Sequence, residues 1–415
     1  MRDFLGRFRY QVAVFVAVLG PGFITANVDN DPGGIYTYSA AGARFGYLPL
    51  WTLVPITLLL IIVQEMCSRM GAVTGKGLSD LIREEFGLRI TFVMMALLVL
   101  VNLANVMSEF AGVASSLGLF GISKYLTVPL SAIAVWFLVV RGNYQSVEKI
   151  FLFACVLYFS YIISGFLVKP DWKQAAIRSV EPQLMLDPGY IYMLIGMVGT
   201  TIAPWMQFYL QSAVVEKGVS VKDYAASRIE VIVGCIVTDV VAFFIIVACA
   251  GAIWSVAPKD IQEASEAASA LKPFGKYAFF LFSAGLFNAA IFSACILPLS
   301  TAYSVCEGLG FESGVNKRLR EAPIFYFLYT LLIVVGAGLV LIPKFPLVQM
   351  ILFSQVLNGM LLPLVLIFMI LLINKRDLMG EWINPRWLNL ASWVSVVMII
   401  GLSLAYLGIQ LRGMH

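Results

Sequence analysis

The chain has 415 residues, 60% of them apolar and only 13% charged, with a mean hydropathy of +0.89, which excludes an ordinary soluble globular protein and predicts an all-α polytopic membrane protein. Its formal net charge of +4 is small for that length and is scattered between apolar runs, so a nucleic-acid partner is excluded. The six cysteines (Cys67, Cys155, Cys235, Cys249, Cys295 and Cys306) form no CxxC pair, and the single histidine is His415. Thiolate metal centres and catalytic constellations therefore lack their residues, and neither an enzyme nor a resident cofactor is expected.

Apolar runs of about 20 residues, the length that crosses a bilayer, fall roughly at 11–43, 47–73, 90–121, 126–142, 149–169, 189–215, 225–254, 276–307, 324–343, 346–373 and 388–411. These are numbered here as spans 1 to 11. The opening MRDFLGRFRY is basic and runs into span 1 without a small-residue cleavage motif, so it reads as a retained helix rather than a signal peptide. With eleven spans the termini lie on opposite sides. Of the 28 Lys and Arg residues, 18 fall on the N-terminal side, which predicts a cytoplasmic N-terminus in the cell (inner) membrane. That side is called the basic face below.

Span 1 carries the most informative segment, Asn27-Val-Asp-Asn-Asp-Pro-Gly-Gly34. Pro32 has no amide donor and the two glycines favour an unwound backbone, so the helix is expected to fail at Asp31. A carboxylate in the hydrocarbon region costs several kcal/mol, so Asp31 is expected to face the bundle interior beside freed carbonyls, which is a cation site. Asp29 either widens the negative field of that cavity or caps a helix fragment. In span 2, Glu65 is expected to pair with a loop Arg or Lys. Glu109 in span 3 shares a helix face with Asn105 and Gly112 and is a candidate for the same cavity, the alternative being a pair with a neighbouring helix.

Span 6 is also interrupted, at Gly199-Thr-Thr-Ile-Ala-Pro-Trp205, with Gln207 and Gln211 beyond. Broken helices at corresponding positions of two five-helix halves point to an inverted-repeat transporter with its site at the bilayer midplane, the competing reading being a simple proline kink in each span. The expected organisation is one transporter domain, with repeats over 1–175 and 176–373 and an additional helix over 374–415. Asn27, Thr201, Gln207, Gln211 and, in span 10, Asn358 are candidates to line the cavity, and Trp205 borders it by position. Backbone carbonyls of Asn27 or Val28 and of Thr200 or Ala203 are further candidate ligands. Asp239 in span 7 is expected to pair with a loop cation.

The stretches Gly20-Pro-Gly-Phe23, Asp31-Pro-Gly33 and Ala40-Ala-Gly-Ala-Arg-Phe-Gly-Tyr47 resemble the first helix of the NRAMP divalent-metal transporters. Val73-Thr-Gly-Lys-Gly-Leu78, Glu109-Phe-Ala-Gly112, Tyr209-Leu-Gln-Ser212, Ser354-Gln-Val356, Leu362-Pro363 and Met379-Gly380 continue the resemblance in order, while spans 8, 9 and 11 match only in general character. The resemblance implies a LeuT-like fold with broken helices 1 and 6, alternating access, and a divalent metal ion and the lipid bilayer as partners. No obligate protein partner is implied. Gln355 matches the polar residue of span 10 that closes over the ion, with a plain interhelical hydrogen bond as the alternative.

The departures from the family pattern bear on substrate. Gly34 stands where the family has an Asn ligand, Ala203 where it has a Met, Val106 where it has an Asp in span 3, and no histidine is present in span 6. Thioether and imidazole favour transition metals, whereas carboxylate, carbonyl and water suit Mg²⁺. The expected metal set is Asp31, Glu109, Gln355, Asn27 and Ala203, with Gly34 and Ala203 leaving room for a partly hydrated ion. The pattern is similar to the bacterial NRAMP-related magnesium transporters, with Mn²⁺ also accepted. Val106, Trp205 and Gln211 interrupt the family's proton relay, so uptake without an obligatory proton is expected. The alternatives are a proton-coupled Mn²⁺ or Fe²⁺ symporter and, further off, an ion channel.

Overall fold

The computed structural model describes Val28 and residues 30–141, 155–315 and 317–413. Span 1 is represented from its break onward by α1 (Pro32–Phe45). Span 2 is a 3₁₀ turn over Leu48–Thr52 followed by α2 (Leu53–Thr74). A loop helix, α3 (Leu78–Phe86), lies on the basic face before α4 (Leu88–Gly118) and α5 (Lys124–Val140), which are spans 3 and 4. The end of span 5 is α6 (Phe159–Leu167), followed by the short helix α7 (Trp172–Val180).

Span 6 is two helices, α8 (Pro188–Thr201) and α9 (Pro204–Glu216). Span 7, α10 (Tyr224–Cys249), runs into a π-helical turn over Ala250–Trp254. After the short α11 (Ala264–Ala268), spans 8 to 10 are α12 (Ala278–Leu309), α13 (Pro323–Val340) and α14 (Leu347–Ile373). A single turn, α15 (Arg376–Met379), precedes span 11, α16 (Arg386–Gly413).

Among the described residues, eight helical stretches are long and apolar enough to span a bilayer, and Lys124–Val140 is a shorter apolar helix. Spans 1 and 5 fall outside this set because part of each lies outside the described residues. Large apolar side chains face outward on the spans, among them Phe92 and Leu100 on α4 and Leu390, Val397 and Leu404 on α16, as a lipid-facing surface requires.

Both expected breaks are present. Asp31 is extended at φ −68° and ψ 178° and caps α1, with Pro32 as the first helical residue. In span 6 the helix stops at Thr201, Ile202 departs at φ −125° and ψ 56°, and Pro204 starts the next helix. Neither is a kink inside a continuous helix.

Three close approaches bring the breaks together. Gly112 of α4 lies against the Pro32 ring, where an added Cβ would sit 2.3 Å from Cγ. A Cβ on Gly33 would sit 2.0 Å from Gln355 Nε2. A Cβ on Gly199 would meet the Gln355 carbonyl oxygen at 2.0 Å and the Gly359 nitrogen at 2.3 Å, so α8 and α14 cross backbone to backbone one residue before Thr200. With no hydrophobic drive between helices in lipid, small residues of this kind allow the packing.

Gly199→Ala should therefore force α8 and α14 apart, costing about 1–3 kcal/mol as over-packing does. Gly118→Ala, at an exposed helix end with nothing within 4 Å of the new Cβ, should be neutral. Thermal unfolding in detergent should show a lower Tm for the first variant only; equal values would contradict the packing account.

Candidate metal site at the helix breaks

The N-cap geometry fixes Asp31: its Oδ1 accepts from the Gly34 amide at 2.8 Å, meeting one of the orphan donors at the start of α1. The N-terminal end of a half-helix favours negative charge, so this cap also stabilises the ionised carboxylate. Asp31 is 7% exposed.

Glu109 comes from α4, one helical turn before Gly112, and the Gly112–Pro32 contact delivers it to the break. It is fully buried and close enough to Asp31 for the two carboxyls to interact directly. Neither Glu109 oxygen receives a hydrogen bond. Two acidic side chains this close in a buried site, with the Gly34 amide donating to Asp31 and no donor to Glu109, call for a cation or a shared proton between them.

Gln355 reaches the same place from α14. Its Oε1 accepts from Asn358 Nδ2 at 2.9 Å, and Asn358 and Asn105 exchange reciprocal amide hydrogen bonds at 2.8 and 3.0 Å. This chain of amides turns the Gln355 NH2 toward Gly33 and Asp31. Ligation of an ion through Oε1 requires the amide to turn over.

The other expected residues are distributed differently. Ala203 is the buried first residue of the α9 turn, and its carbonyl accepts from the Met206 amide at 3.0 Å. In the amide orientation that satisfies both its ends, Gln207 donates to the Ala203 and Pro204 carbonyls at 2.8 and 2.7 Å. Gln207 is thus tied to its own helix, and the Ala203 carbonyl is already engaged. Thr201 Oγ1 hydrogen-bonds to Tyr38 and to the Met197 carbonyl, which joins α1 to α8 rather than offering a ligand.

Gln211 is not at the break. Its Nε2 donates to the Lys76 carbonyl at 2.9 Å, and next to it Ser212 donates to Glu307 at 2.8 Å, so α9 is fastened to the loop after α2 on the basic face. Trp205 is buried and its carbonyl accepts from Ser300. Gly34 supplies the capping amide of Asp31. Asn27 and Asp29 lie outside the described residues.

Of the acidic residues outside the breaks, Glu65 is paired, but with Arg69 one turn along α2 at 3.2 Å rather than with a loop cation, because residues four apart share a helix face. The salt bridge expected for Asp239 is absent among the described residues. Asp239 is buried near Thr57, its carboxyl oxygens unpaired, because its helix position faces α2 rather than a loop.

Thr200 is the residue the sequence reading undervalued. Its Oγ1 is buried without a partner, it stands in the last turn of α8, where carbonyls lose their helical donors, and Gly199 beside it touches Gln355. Its carbonyl was a candidate, but adjacent Thr201 carried the same side chain and sequence alone could not choose between the hydroxyls.

The arrangement therefore brings together two carboxylates, the carbonyl end of a half-helix and an amide that offers its oxygen only after turning over. Chains with this architecture are known. The chain is 26% identical over 406 residues, covering 95% of each protein, to the divalent metal cation transporter MntH of Yersinia pestis (strain Pestoides F) and equally to that of Yersinia pseudotuberculosis serotype O:3 (strain YPIII). A solved structure of the Eremococcus coleocola manganese transporter superposes with a TM-score of 0.75 at 22% identity, over 96% of this chain and 87% of that one. Mhp1, a nucleobase-cation-symport-1 family transporter, matches at a TM-score of 0.60 and 14% identity, over 95% and 92%. The shared fold is the LeuT-like one, with its inverted five-helix repeats and broken helices 1 and 6. The natural resistance-associated macrophage protein-like (Nramp) family profile matches residues 22–408, and the chain belongs to that family.

Proposed function

We propose that the chain carries divalent metal cations across the bacterial inner membrane by alternating access, with Mg²⁺ as the favoured substrate and Mn²⁺ also accepted. The observation that carries this reading is the buried Asp31–Glu109 pair at the break of span 1, with Gln355 against the same turn. Two negative charges match a divalent ion, and the oxygen-only donor set, with Ala203 in the place of a soft ligand, matches an ion that keeps part of its water. The similarity to divalent metal cation transporters of Yersinia supports the substrate class. The N-terminus and the basic face are cytoplasmic in this reading.

A negative interior drives a divalent cation inward with about 4.6 kcal/mol at 100 mV, so no proton is required for uptake. Val106, buried against α13 at Gly336, Trp205, and Gln211, fastened to Lys76, are non-titrating side chains where the resemblance places the family's proton relay, which supports uptake without a proton. A second reading, proton-coupled exchange, is favoured by one observation, the Glu109 carboxyl without a donor beside Asp31, where a proton would replace the departing ion.

In proteoliposomes, Asp31→Ala should abolish saturable Mg²⁺ uptake, by at least about 100-fold if the carboxylate contributes ~3 kcal/mol, while the variant still inserts and loses no more stability than one N-cap supplies, about 1 kcal/mol. Undiminished flux would remove Asp31 from the site, and flux that rises linearly without saturation in the wild type would indicate a channel.

Ala203→Met combined with Gly34→Asn should raise the Cd²⁺ to Mg²⁺ binding ratio about tenfold, the equivalent of ~1.4 kcal/mol, because a thioether is a soft ligand. Titration calorimetry on the folded double variant reads that ratio; no change would contradict the ligand argument.

With a pH dye inside and a fixed negative potential, Mg²⁺ entry should proceed without acidification. Acidification proportional to Mg²⁺ flux, and lost in Glu109→Gln, would establish the proton-coupled reading instead.

A further inference from the structure

A pocket of about 280 Å³ opens on the basic face between α2, α10 and the start of α16, remote from the helix breaks. Arg69, Arg228, Trp382 and Trp387 line it, with Ile62 and Ile232 on its apolar wall. The charges do not cancel. Glu65, also in the lining, accepts from Tyr224 and pairs with Arg69, whose Nη2 further donates to Asn384. Glu65 is thereby neutralised. Arg69 is nine-tenths buried, and its Nε has no partner. Arg228 is exposed and makes no ion pair among the described residues, so the pocket keeps one uncompensated positive charge.

The apolar wall continues along the helices away from the basic face, through exposed Leu58 on α2, Ile236 on α10 and Leu390 on α16. Trp382 and Trp387 are both partly exposed at the mouth, in the manner of interfacial indoles. A cationic head site, indoles at its edge and a greasy track behind it describe a receptor for an amphiphile with an anionic head.

We propose that this pocket binds an anionic phospholipid of the leaflet on the basic face, with Arg228 at the phosphate, Arg69 held by Glu65 and Asn384 at the pocket floor, and one acyl chain along Ile62, Ile232 and Leu58. The site uses no residue of the metal site.

Native mass spectrometry of the full chain in detergent, titrated with phosphatidylglycerol or phosphatidylcholine, tests this. Phosphatidylglycerol should bind at lower concentration than phosphatidylcholine, and Arg228→Gln should lower its occupancy about fivefold, as expected for one basic contact near a membrane surface. Lys222→Gln, an exposed basic residue on the same face outside the pocket lining, should change nothing. Equal binding of the two lipids, or equal phosphatidylglycerol occupancy in wild type and Arg228→Gln, would overturn the proposal. So would competition by millimolar inorganic phosphate that fully displaces the lipid, which would make the pocket a site for a soluble anion.

Discussion

The structure turns on one electrostatic constraint, the placement of the Asp31 and Glu109 carboxyls face to face at a helix break inside the membrane. Removing one carboxylate from water already costs several kcal/mol, and a second beside it adds repulsion. Asp31 returns part of the cost as an N-cap, through the Gly34 amide, whereas Glu109 returns none. Such a pair calls for a cation or a shared proton between its members.

The surrounding backbone serves that pair. Gly112 admits the Pro32 ring, which seats the broken end of α1 against α4, and Gly33 and Gly199 admit Gln355 from both sides. Gln355 therefore touches both breaks, with its side chain at Gly33 and its backbone at Gly199, and the Asn105–Asn358 pair sets its amide. Movement of α1 or of α8 and α9 would reach Gln355 directly. The far ends of the broken spans are tied down separately, α9 to the Lys76 loop through Gln211 and α1 to the opposite loop through Arg44–Asp260 at 2.7 Å and the Lys259 amide. These ties involve few groups and are exposed or half-exposed on the α1 side, so each contributes little to stability.

Much of this was legible in the sequence because it depends on backbone chemistry that composition reveals. Pro32 after Asp31 and Pro204 after Ala203 cannot continue a helix, and both breaks stand where the prolines put them. Glu109 could be placed with Gly112 from helical spacing alone. What escaped the sequence depended on direction. Gln207 and Gln211 are four residues apart on one helix, yet one folds back on its own turn and the other reaches Lys76. Thr200 and Thr201 differ only in which side of α8 they face, and Thr201 is consumed by Tyr38. Loop cations are the expected partners of both Glu65 and Asp239, but Glu65 finds Arg69 on its own helix and Asp239 faces α2, with no pairing cation among the described residues.

Anomalous diffraction from crystals of the full chain soaked in Mn²⁺ tests the central claim most directly, because Mn²⁺ accepts oxygen ligands and scatters anomalously where Mg²⁺ does not. The account predicts a single strong peak with Asp31 and Glu109 as its nearest carboxylates and Gln355 beside it, absent in Asp31→Ala crystals. A peak elsewhere in the bundle, or one at the breaks that persists in Asp31→Ala, would contradict it.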